Sequence, residues 1–381
     1  MVRNYQFLGL LMLCSLAMAE ETGCMEGDCR NGSGIFVYDE ELVGQRYEGQ
    51  FKAGKRHGSG TQSYGGGRYE GQWLKDKRSG EGAYFHLDGH RYVGQWHNDQ
   101  PHGKGIFEHH GGNRYEGDWV KGDRSGQGTF VGADDSRYEG GWLAGEYHGK
   151  GVMLNANGSS YEGHYENGKP HGRGVFEDAE GQRYVGMWKD GLSHGEGILY
   201  HPNGLRYEGP WLHGKEHGIG TMHFTDGDRY VGEYENGERN GQGVYHFFNG
   251  DRYVGEYKDQ RKHGEGTYYY LNGERYTGAY VMGVKQGAGA YYFADGSRYK
   301  GQFSENKSNG SGAAYYSDGS CYDGLWQDGM KHGAGSLYLK NGEVQRGEWK
   351  WDTFDKEREE KQTDLSISIA CKLLKIGQVS G

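Results

Sequence analysis

The stretch from Tyr92 to Glu108 reads YVGQWHNDQPHGKGIFE, and this pattern decides the fold. Its opening tyrosine recurs at a fixed interval, and only the interval from Tyr47 to Tyr69 is shorter, by one position. A fixed period of this kind is typical of a repeat array, and it runs without a linker as far as Trp349, so we expect one elongated domain. The tyrosines that open the repeats are Tyr47, Tyr69, Tyr92, Tyr115, Tyr138, Tyr161, Tyr184, Tyr207, Tyr230, Tyr253, Tyr276, Tyr299 and Tyr322.

Each repeat has two halves in which residue types alternate. Tyr92, Gly94 and Trp96 occupy every second position, and this spacing puts all three on one face of a β-strand. The second half, from Gly103 to Phe107, alternates glycine and an aromatic residue in the same way. Glycines without side chains leave bare backbone on which neighbouring tyrosine and tryptophan rings can pack. The pattern therefore predicts two strands per repeat, with the rings lying over glycines.

Turn dipeptides join these halves. Asn167-Gly168 lies between the two halves of a repeat, and Asp226-Gly227 lies between repeats. Asn-Gly and Asp-Gly favour tight hairpin turns, whose two central residues need positive φ. Each repeat is thus predicted to be a β-hairpin. The predicted fold class is all-β: an elongated, single-layer antiparallel β-meander built from 23-residue hairpin repeats, followed by a short C-terminal cap.

Composition and charge limit the classes of function. The 381 residues include 74 glycines and have a mean hydropathy of -0.97, which alone would suggest disorder. However, the chain has only 4 prolines, and its aromatic residues stand at fixed repeat positions, which favours a folded array. The formal net charge is -10, and no block of Lys and Arg is present. Nucleic-acid binding is therefore not expected, because it requires a basic face.

The N-terminal segment has the pattern of a secretory signal peptide. Arg3 precedes the apolar stretch from Phe7 to Leu16, and Ala17-Met18-Ala19 resembles a cleavage site. We expect cleavage after Ala19 and export, whether to the periplasm, the secretory pathway or the medium; the alternative is a buried N-terminal strand or helix. The predicted organisation is a signal peptide at 1–19, a cysteine-containing cap and half repeat at 20–46, the array at 47–351, and a tail or cap at 352–381.

Cleavage would leave four cysteines in an oxidising compartment. Cys24 and Cys29 bracket a short loop, and we predict a disulfide between them. Two thiols without nearby histidines make a zinc site the weaker alternative. Cys321 and Cys371 can pair only if the tail folds back onto the last repeat.

The phrase Tyr-Glu-Gly-x-Trp, followed by His-Gly-x-Gly and Asp-Gly, resembles the MORN repeat, named for membrane occupation and recognition nexus. Thirteen full repeats run from Tyr47 to about Arg346, and a partial one ends at Trp349. The resemblance implies a curved ribbon used as a scaffold, with roles in protein binding, self-association and phospholipid contact. Some turns depart from the pattern and are expected to be looser or different in geometry, because the turn glycine is replaced by Asp76, Asp99, Gln260 and Asn306.

The function predicted from these features is a non-catalytic, exported scaffold that binds a protein partner, or a second copy of the chain, along an aromatic face or an edge. One alternative is carbohydrate or envelope-surface binding through exposed rings. Another is phospholipid binding, which the acidic charge disfavours. The candidate binding-face aromatics are Tyr69, Trp73, Tyr92, Trp96, Tyr115, Trp119, Tyr138, Trp142, Tyr184, Trp188, Tyr207 and Trp211.

No catalytic residue, cofactor or metal site is predicted. Eight histidines share one repeat position: His57, His102, His148, His171, His194, His217, His263 and His332. Equivalent positions in adjacent repeats are two strands, or roughly 9–10 Å, apart, too far to share a zinc ion. His109 and His110 are adjacent but lie in a predicted turn, and neighbouring side chains on a strand would point to opposite faces.

Two further features carry open alternatives. An arginine precedes most repeat tyrosines, as at Arg46 and Arg275, and these arginines either read anionic ligands or stack on rings and pair with carboxylates. In the tail, Lys356–Lys361 resembles a short solvated helix, and Leu365–Ile376 has an apolar face. The tail is predicted either to cap the last hairpin or to dock a partner.

Overall fold

The computed structural model describes residues 22–38, 45–359 and 367–376. The predicted signal peptide lies outside these residues. The chain divides into two compact units, residues 1–169 and 170–381, each described here by itself. In both units nearly every described segment is strand or tight turn, and the predicted all-β class is confirmed.

The first unit is an antiparallel meander in which each strand pairs with the next one along the chain. Its strands are β1 (Gly23–Gly27), β2 (Ser33–Val37), β3 (Arg46–Lys52), β4 (Lys55–Tyr64), β5 (Gly67–Leu74), β6 (Lys77–His86), β7 (Arg91–His97), β8 (Gln100–Glu108), β9 (Arg114–Val120), β10 (Asp123–Val131), β11 (Arg137–Leu143), β12 (Glu146–Leu154) and β13 (Ser160–Glu166).

The second unit repeats this arrangement and ends in a short helix. Its elements are β14 (Lys169–Glu177), β15 (Arg183–Lys189), β16 (Leu192–Tyr200), β17 (Arg206–Leu212), β18 (Lys215–Glu216), β19 (Gly218–His223), β20 (Arg229–Glu235), β21 (Glu238–His246), β22 (Arg252–Lys258), β23 (Arg261–Tyr269), β24 (Arg275–Val281), β25 (Val284–Tyr292), β26 (Arg298–Ser304), β27 (Lys307–Tyr315), β28 (Cys321–Gln327), β29 (Met330–Tyr338), β30 (Val344–Lys350), β31 (Thr353–Glu359) and α1 (Ile369–Ile376).

The hairpin turns have the predicted geometry, including those without glycine. Asn167 and Gly168 have φ of 50° and 75°, which is the left-handed pair that a tight hairpin turn requires. Asp99 replaces the turn glycine, and its φ is 69°. The expectation of a different turn there is wrong, because the Asp99 Oδ1 atom accepts a hydrogen bond from the Arg78 backbone N–H at 2.9 Å. The same left-handed φ occurs at Asp76, Gln260 and Asn306, and also at Asp352 in the turn between β30 and β31.

The two glycines of His-Gly-x-Gly have different roles. Gly105 lies opposite Gly94 in the neighbouring strand, and the Tyr92 ring covers both glycines, as predicted. Gly103 instead lies in a bulge, where the register shifts between Gly94 and Trp96, and its φ is 68°. Simple alternation along the strand is therefore wrong at Gly103, which is a glycine because of its left-handed backbone.

The tail differs from its sequence-based description. Residues 356–359 belong to strand β31 and not to a helix. Helix α1 packs against β27 and β28. Among the described residues, no helix combines the length and the apolar character needed to cross a membrane.

Candidate functional site

The repeating tyrosines and tryptophans form a ladder of edge-to-face rings within each unit. In the first unit, the Tyr92 ring centroid lies 5.0 Å from that of Trp96 and 5.2 Å from that of Trp119 in the next repeat. The Tyr92 hydroxyl donates a hydrogen bond to the Gln95 carbonyl at 2.9 Å, and the Trp119 indole N–H donates to the Gly105 carbonyl at 3.1 Å. Tyr92 and Trp119 therefore have both their ring faces and their polar atoms satisfied inside the sheet, whereas the hydroxyls of Tyr234, Tyr257 and Tyr280 in the second unit are buried without a partner.

This packing removes the predicted binding-face aromatics from solvent. Trp73, Trp96 and Trp119 are 3%, 5% and 8% exposed, and of the twelve candidates only Trp188 is more than marginally accessible. The buried candidates are Tyr69, Trp73, Tyr92, Trp96, Tyr115, Trp119, Tyr138, Trp142, Tyr184, Tyr207 and Trp211. The alternation correctly placed the rings on one face, but adjacent repeats and overlying side chains cover them. They form the core and not an accessible binding surface.

A second row of rings, which we call the outer rings, lies on the same face and is half-buried. Phe107 is directly opposite Tyr115, and Tyr268 is directly opposite Tyr276. The outer rings discussed here are Tyr84, Phe107 and Phe130 in the first unit and Tyr245, Tyr268 and Tyr291 in the second. Because these rings are half-buried, a ligand can reach them.

Positively charged side chains lie between the outer rings and cover the core rings beneath them. They occupy the second position after the hairpin turn, which pairs with the tryptophan position, as Arg78 does with Trp73. The Arg78 guanidinium lies 4.2 Å from the ring centroid of Trp96, and the Lys262 ammonium lies 4.3 Å from that of Tyr268. These are cation–π distances. We call this set the inner cations: Arg56, Arg78, Arg124, Arg239, Lys262, Lys285 and Lys331. The sequence analysis missed them.

In the second unit, carboxylates fix the outer rings. The Tyr245 hydroxyl donates to Asp228 at 2.6 Å, and the Tyr268 hydroxyl donates to Asp251 at 2.7 Å. Burial, together with the neighbouring Lys285 ammonium, lowers the pKa of Lys262 to about 8, and Asp251 opposes this shift. The face is thus a regular alternation of rings, carboxylates and desolvated ammonium groups.

From Arg239 to Lys331 this cation row is interrupted at one position, whereas Pro170, Ser193 and Glu216 occupy the same position earlier in the second unit. Ser308 stands where the adjacent repeats have Lys285 and Lys331, and Ala314 stands one repeat after the outer ring Tyr291. Both replacements shorten a side chain on the same face, since Ser308 pairs with Phe303 and Ala314 pairs with Tyr299. The result is a cavity of about 520 Å³ above these two residues.

The cavity has aromatic walls and an ammonium group at each end. Its lining includes Lys285, Tyr291, Tyr299, Ser308, Ala314, Tyr316, Trp326, Lys331 and Asp352. The Lys285 ammonium lies 3.0 Å from the Tyr270 hydroxyl, and the Lys331 ammonium lies 3.9 Å from the Asp352 carboxylate. The Lys331 side chain is 16% exposed. Burial raises the pKa of Tyr316 to about 12, with Asp352 adding to the shift, so its hydroxyl stays protonated at neutral pH. The site therefore offers cationic and hydroxyl donors beside apolar surface.

The arginines that precede the repeat tyrosines stack on rings and pair with carboxylates, which is one of the two predicted roles. Arg46 pairs with Glu48 at 3.1 Å, and the Arg275 guanidinium lies 4.4 Å from the Tyr292 ring centroid. Cys321 takes this position in its repeat because it forms a disulfide with Cys371. The stacking and ion-pair interpretation is confirmed for these arginines.

The histidines fall into two groups. The eight repeat-position histidines are half-buried beside the bulge glycines. His109 and His110 behave differently, because they lie in the turn after β8, where strand alternation does not apply. Their ring centroids are 4.3 Å apart, and His90 from the preceding turn lies 4.1 Å from His109 and 4.9 Å from His110. The prediction that His109 and His110 point to opposite faces is wrong. The signal available in the sequence was that His90 precedes this pair by slightly less than one repeat.

Both cysteine pairs form disulfides. Cys24 and Cys29 are joined as predicted, with 6.0 Å between Cα atoms. Cys371 in α1 is joined to Cys321 in β28, and both are buried beside Tyr338. The tail thus folds back, as this pairing required, but onto β27 and β28. Two disulfides are typical of proteins in oxidising compartments.

The repeat architecture is matched by a known protein family. The MORN repeat family model matches thirteen consecutive segments from residue 47 to residue 344. The TCP10 domain of CPAP from Danio rerio is 11% identical over 52% of this chain and 93% of that chain, with a TM-score of 0.30. The SAS-4 TCP domain of Drosophila melanogaster, in complex with a proline-rich motif of Ana2, is 14% identical over 47% of this chain and 85% of that chain, with a TM-score of 0.25. No curated protein matches the sequence.

Proposed function

Because the chain belongs to the MORN repeat family, whose repeats serve as scaffolds, we propose that it is a non-catalytic, exported scaffold that binds a protein partner through the cavity between Lys285 and Lys331. The partner segment is an extended peptide with acidic side chains and one apolar side chain. The observation that carries this proposal is the cavity itself, which exists because Ser308 and Ala314 interrupt the ring and cation pattern.

The geometry favours a peptide over a small anion. Lys285 is in β25 and Lys331 is in β29, so they are separated by four strand spacings, or about 19 Å along the sheet. A single carboxylate or phosphate cannot reach both ammonium groups. An extended peptide spans about 19 Å with roughly six residues at ~3.3 Å per residue. Its central side chain can fill the space above Ala314, while acidic groups near its ends reach the two lysines.

The residues present also favour binding over catalysis. Ser308 supplies a hydroxyl on the cavity floor, but the described lining contains no histidine to act as its base. The two alternative functions lose their support. Carbohydrate stacking required accessible tryptophans, whereas Trp73 and Trp96 are core residues. Phospholipid binding is disfavoured by the net charge of -10, because anionic bilayers attract basic surfaces.

Export is the part of this proposal that rests on the cysteines. Disulfides persist in oxidising compartments and are rare in the cytosol. The chain has two, Cys24–Cys29 and Cys321–Cys371. Mass spectrometry of the mature protein from its own host, expected to begin at Glu20, tests this part independently of peptide binding. A mature chain that retains Met1 would contradict it.

The binding test uses a variant that restores the repeat pattern. In Ser308→Lys/Ala314→Tyr, the cavity is filled with the residue types of the preceding repeat, Lys285 and Tyr291, so the fold should tolerate the change. Peptides selected from a random displayed library on the wild-type chain should combine acidic and apolar residues. Their affinity, measured by fluorescence anisotropy, should fall about tenfold or more in the variant, a loss of ~1.4 kcal/mol.

The matched control is Lys307→Gln. Lys307 is an exposed lysine paired with Asp328 at 3.3 Å, and it does not line the cavity. It should bind the selected peptide like the wild type. Equal affinity for the wild type and the filled variant would refute the site. If light scattering shows that the wild type is a dimer and the filled variant is a monomer, the occupant of the cavity is a second copy of the chain and not a peptide of another protein.

A further inference from the structure

Three histidines meet at the edge of the first unit, beside the outer ring Phe107. His90 lies in the turn before β7, and His109 and His110 lie in the corresponding turn one repeat later. The two turns close in the same way, by hydrogen bonds from Gly89 N–H to the His86 carbonyl at 3.0 Å and from Gly112 N–H to the His109 carbonyl at 2.9 Å. Stacking of successive repeats brings the three imidazoles together. One ring nitrogen from each lies within 4.8 Å of the others.

The surroundings of His90 leave one of its nitrogens ready to bind a ligand. Asp88 lies 3.1 Å from Nε2 of His90, which holds the proton on that nitrogen. Nδ1 of His90 is buried and has no hydrogen-bond partner. The ring also stacks on Phe107, with 5.9 Å between centroids and 16° between planes. A histidine whose second nitrogen is held by a carboxylate is the usual arrangement of a metal-binding imidazole.

We propose that His90, His109 and His110 bind a divalent transition-metal cation of the Zn²⁺, Cu²⁺ and Ni²⁺ class. These ions bind well to imidazole nitrogens. Three histidines that leave the fourth coordination position of the ion open are a well-known ligand set for zinc. Asp88 orients His90 from outside the coordination sphere. Water or His86, whose Nδ1 lies 2.6 Å from Asp88, can supply the fourth ligand.

The movement needed for binding is small. A tetrahedral zinc ion with ~2.1 Å bonds places its ligand nitrogens roughly 3.4 Å apart, so the present separations must close by about 1 Å. His110 is exposed, and both histidines of its pair lie in a turn, where rings can rotate without disturbing strand pairing. His109 accepts a hydrogen bond at Nδ1 from Gly111 N–H at 3.0 Å. Coordination through that nitrogen would replace this one exposed hydrogen bond.

The test is zinc binding to the full mature chain, freed of any histidine tag and treated with a chelator. Competition with a colorimetric zinc indicator should show one site per chain. His110→Asn should weaken binding at least tenfold, as should His109→Asn. Asp88→Asn, which removes an outer-sphere carboxylate, should weaken it about tenfold to a hundredfold. With Cu²⁺, the electron paramagnetic resonance spectrum of the wild type should show coupling to three imidazole nitrogens.

His201→Asn is the matched control, because His201 holds the position of His109 four repeats later. Gln182 and Pro202 replace the other two histidines there. This variant should bind zinc like the wild type. Circular dichroism of each variant checks that the fold is kept. The proposal is overturned if the wild type binds no zinc, or if His110→Asn and His201→Asn bind it equally well.

Discussion

Replacing Gly105 with alanine tests the explanation of the fold most directly. A Cβ atom at this position would overlap the hydroxyl oxygen of Tyr92 and lie 2.6 Å from its Cζ and 2.7 Å from its Cε2. The ring cannot move away freely. Trp96 and Trp119 hold it edge-on from both sides, and its hydroxyl is bonded to a carbonyl of its own strand.

The expected cost is the sum of two effects. Overpacking of a tight site costs about 1–3 kcal/mol. Displacement of the Tyr92 hydroxyl from the Gln95 carbonyl loses a hydrogen bond worth about 1 kcal/mol. We therefore expect Gly105→Ala to destabilise its hairpin and the adjacent ones by about 2–4 kcal/mol. Tyr92→Phe removes the hydroxyl that the new methyl group would overlap. The double variant should thus lose less stability than the sum of the single variants.

The measurement must be local, because a repeat array need not unfold in one step. Hydrogen exchange with mass spectrometry should show faster exchange in peptides from β7 to β9, and urea unfolding should show a lower first transition. Gly66→Ala is the control: its φ is not left-handed, and its Cβ would have only the Nε2 atom of His86 within reach, at 3.6 Å. It should be neutral or slightly stabilising. If Gly105→Ala is as mild as Gly66→Ala, glycine is not required beneath the tyrosine.

Two further predictions concern the second unit. Replacing Cys321 and Cys371 with serine removes a disulfide that closes a loop of 50 residues, and it should lower the free energy of unfolding by up to about 4 kcal/mol. The same replacement of Cys24 and Cys29 should cost about 2 kcal/mol, because that loop is shorter. Calorimetry measures both losses, and equal losses would contradict the loop-entropy argument. Lys262 has a pKa of about 8 in the folded state, below its ordinary value of 10.5. Between these two values the unfolded state binds more protons than the folded state. The contribution of Lys262 to the free energy of unfolding should therefore rise as pH increases from 7 to 10. Urea midpoints of Lys262→Met should rise less over that range than those of the wild type or of exposed Lys258→Met, and parallel slopes would refute the assignment.

Much of the fold could be predicted because the repeat pattern encodes local geometry. The hairpins, the ring-over-glycine packing and the Cys24–Cys29 disulfide all depend on residues close in sequence or one strand apart. The exceptions have physical causes. Asp99 forms the same turn as glycine because its carboxylate compensates with a hydrogen bond to Arg78 N–H, and Gly103 leaves the alternation because a bulge needs positive φ.

The candidate sites were harder to predict, because accessibility and proximity depend on packing between repeats. The alternation correctly predicted the face on which Trp96 lies. It did not predict that Arg78 and the adjacent repeats would cover this ring. His90 and His110 are almost one repeat apart in sequence, and only the stacking of successive turns brings them into contact. An alignment of the repeats by position would have shown that Ser308 and the histidine cluster depart from the repeat pattern.

The same physical argument explains why both proposed sites lie at departures from the pattern. In the regular part of the array, rings are covered by residues of the same or the adjacent repeat, as Trp119 of the next repeat covers Tyr92 and the Lys262 ammonium of the same strand covers Tyr268. A departure leaves one group without that cover. At Ser308 the missing lysine leaves an aromatic-walled space, and at His90 a buried nitrogen is left without a partner. In this chain the repeated residues therefore build the scaffold, and both proposed sites use residues that break the repeat.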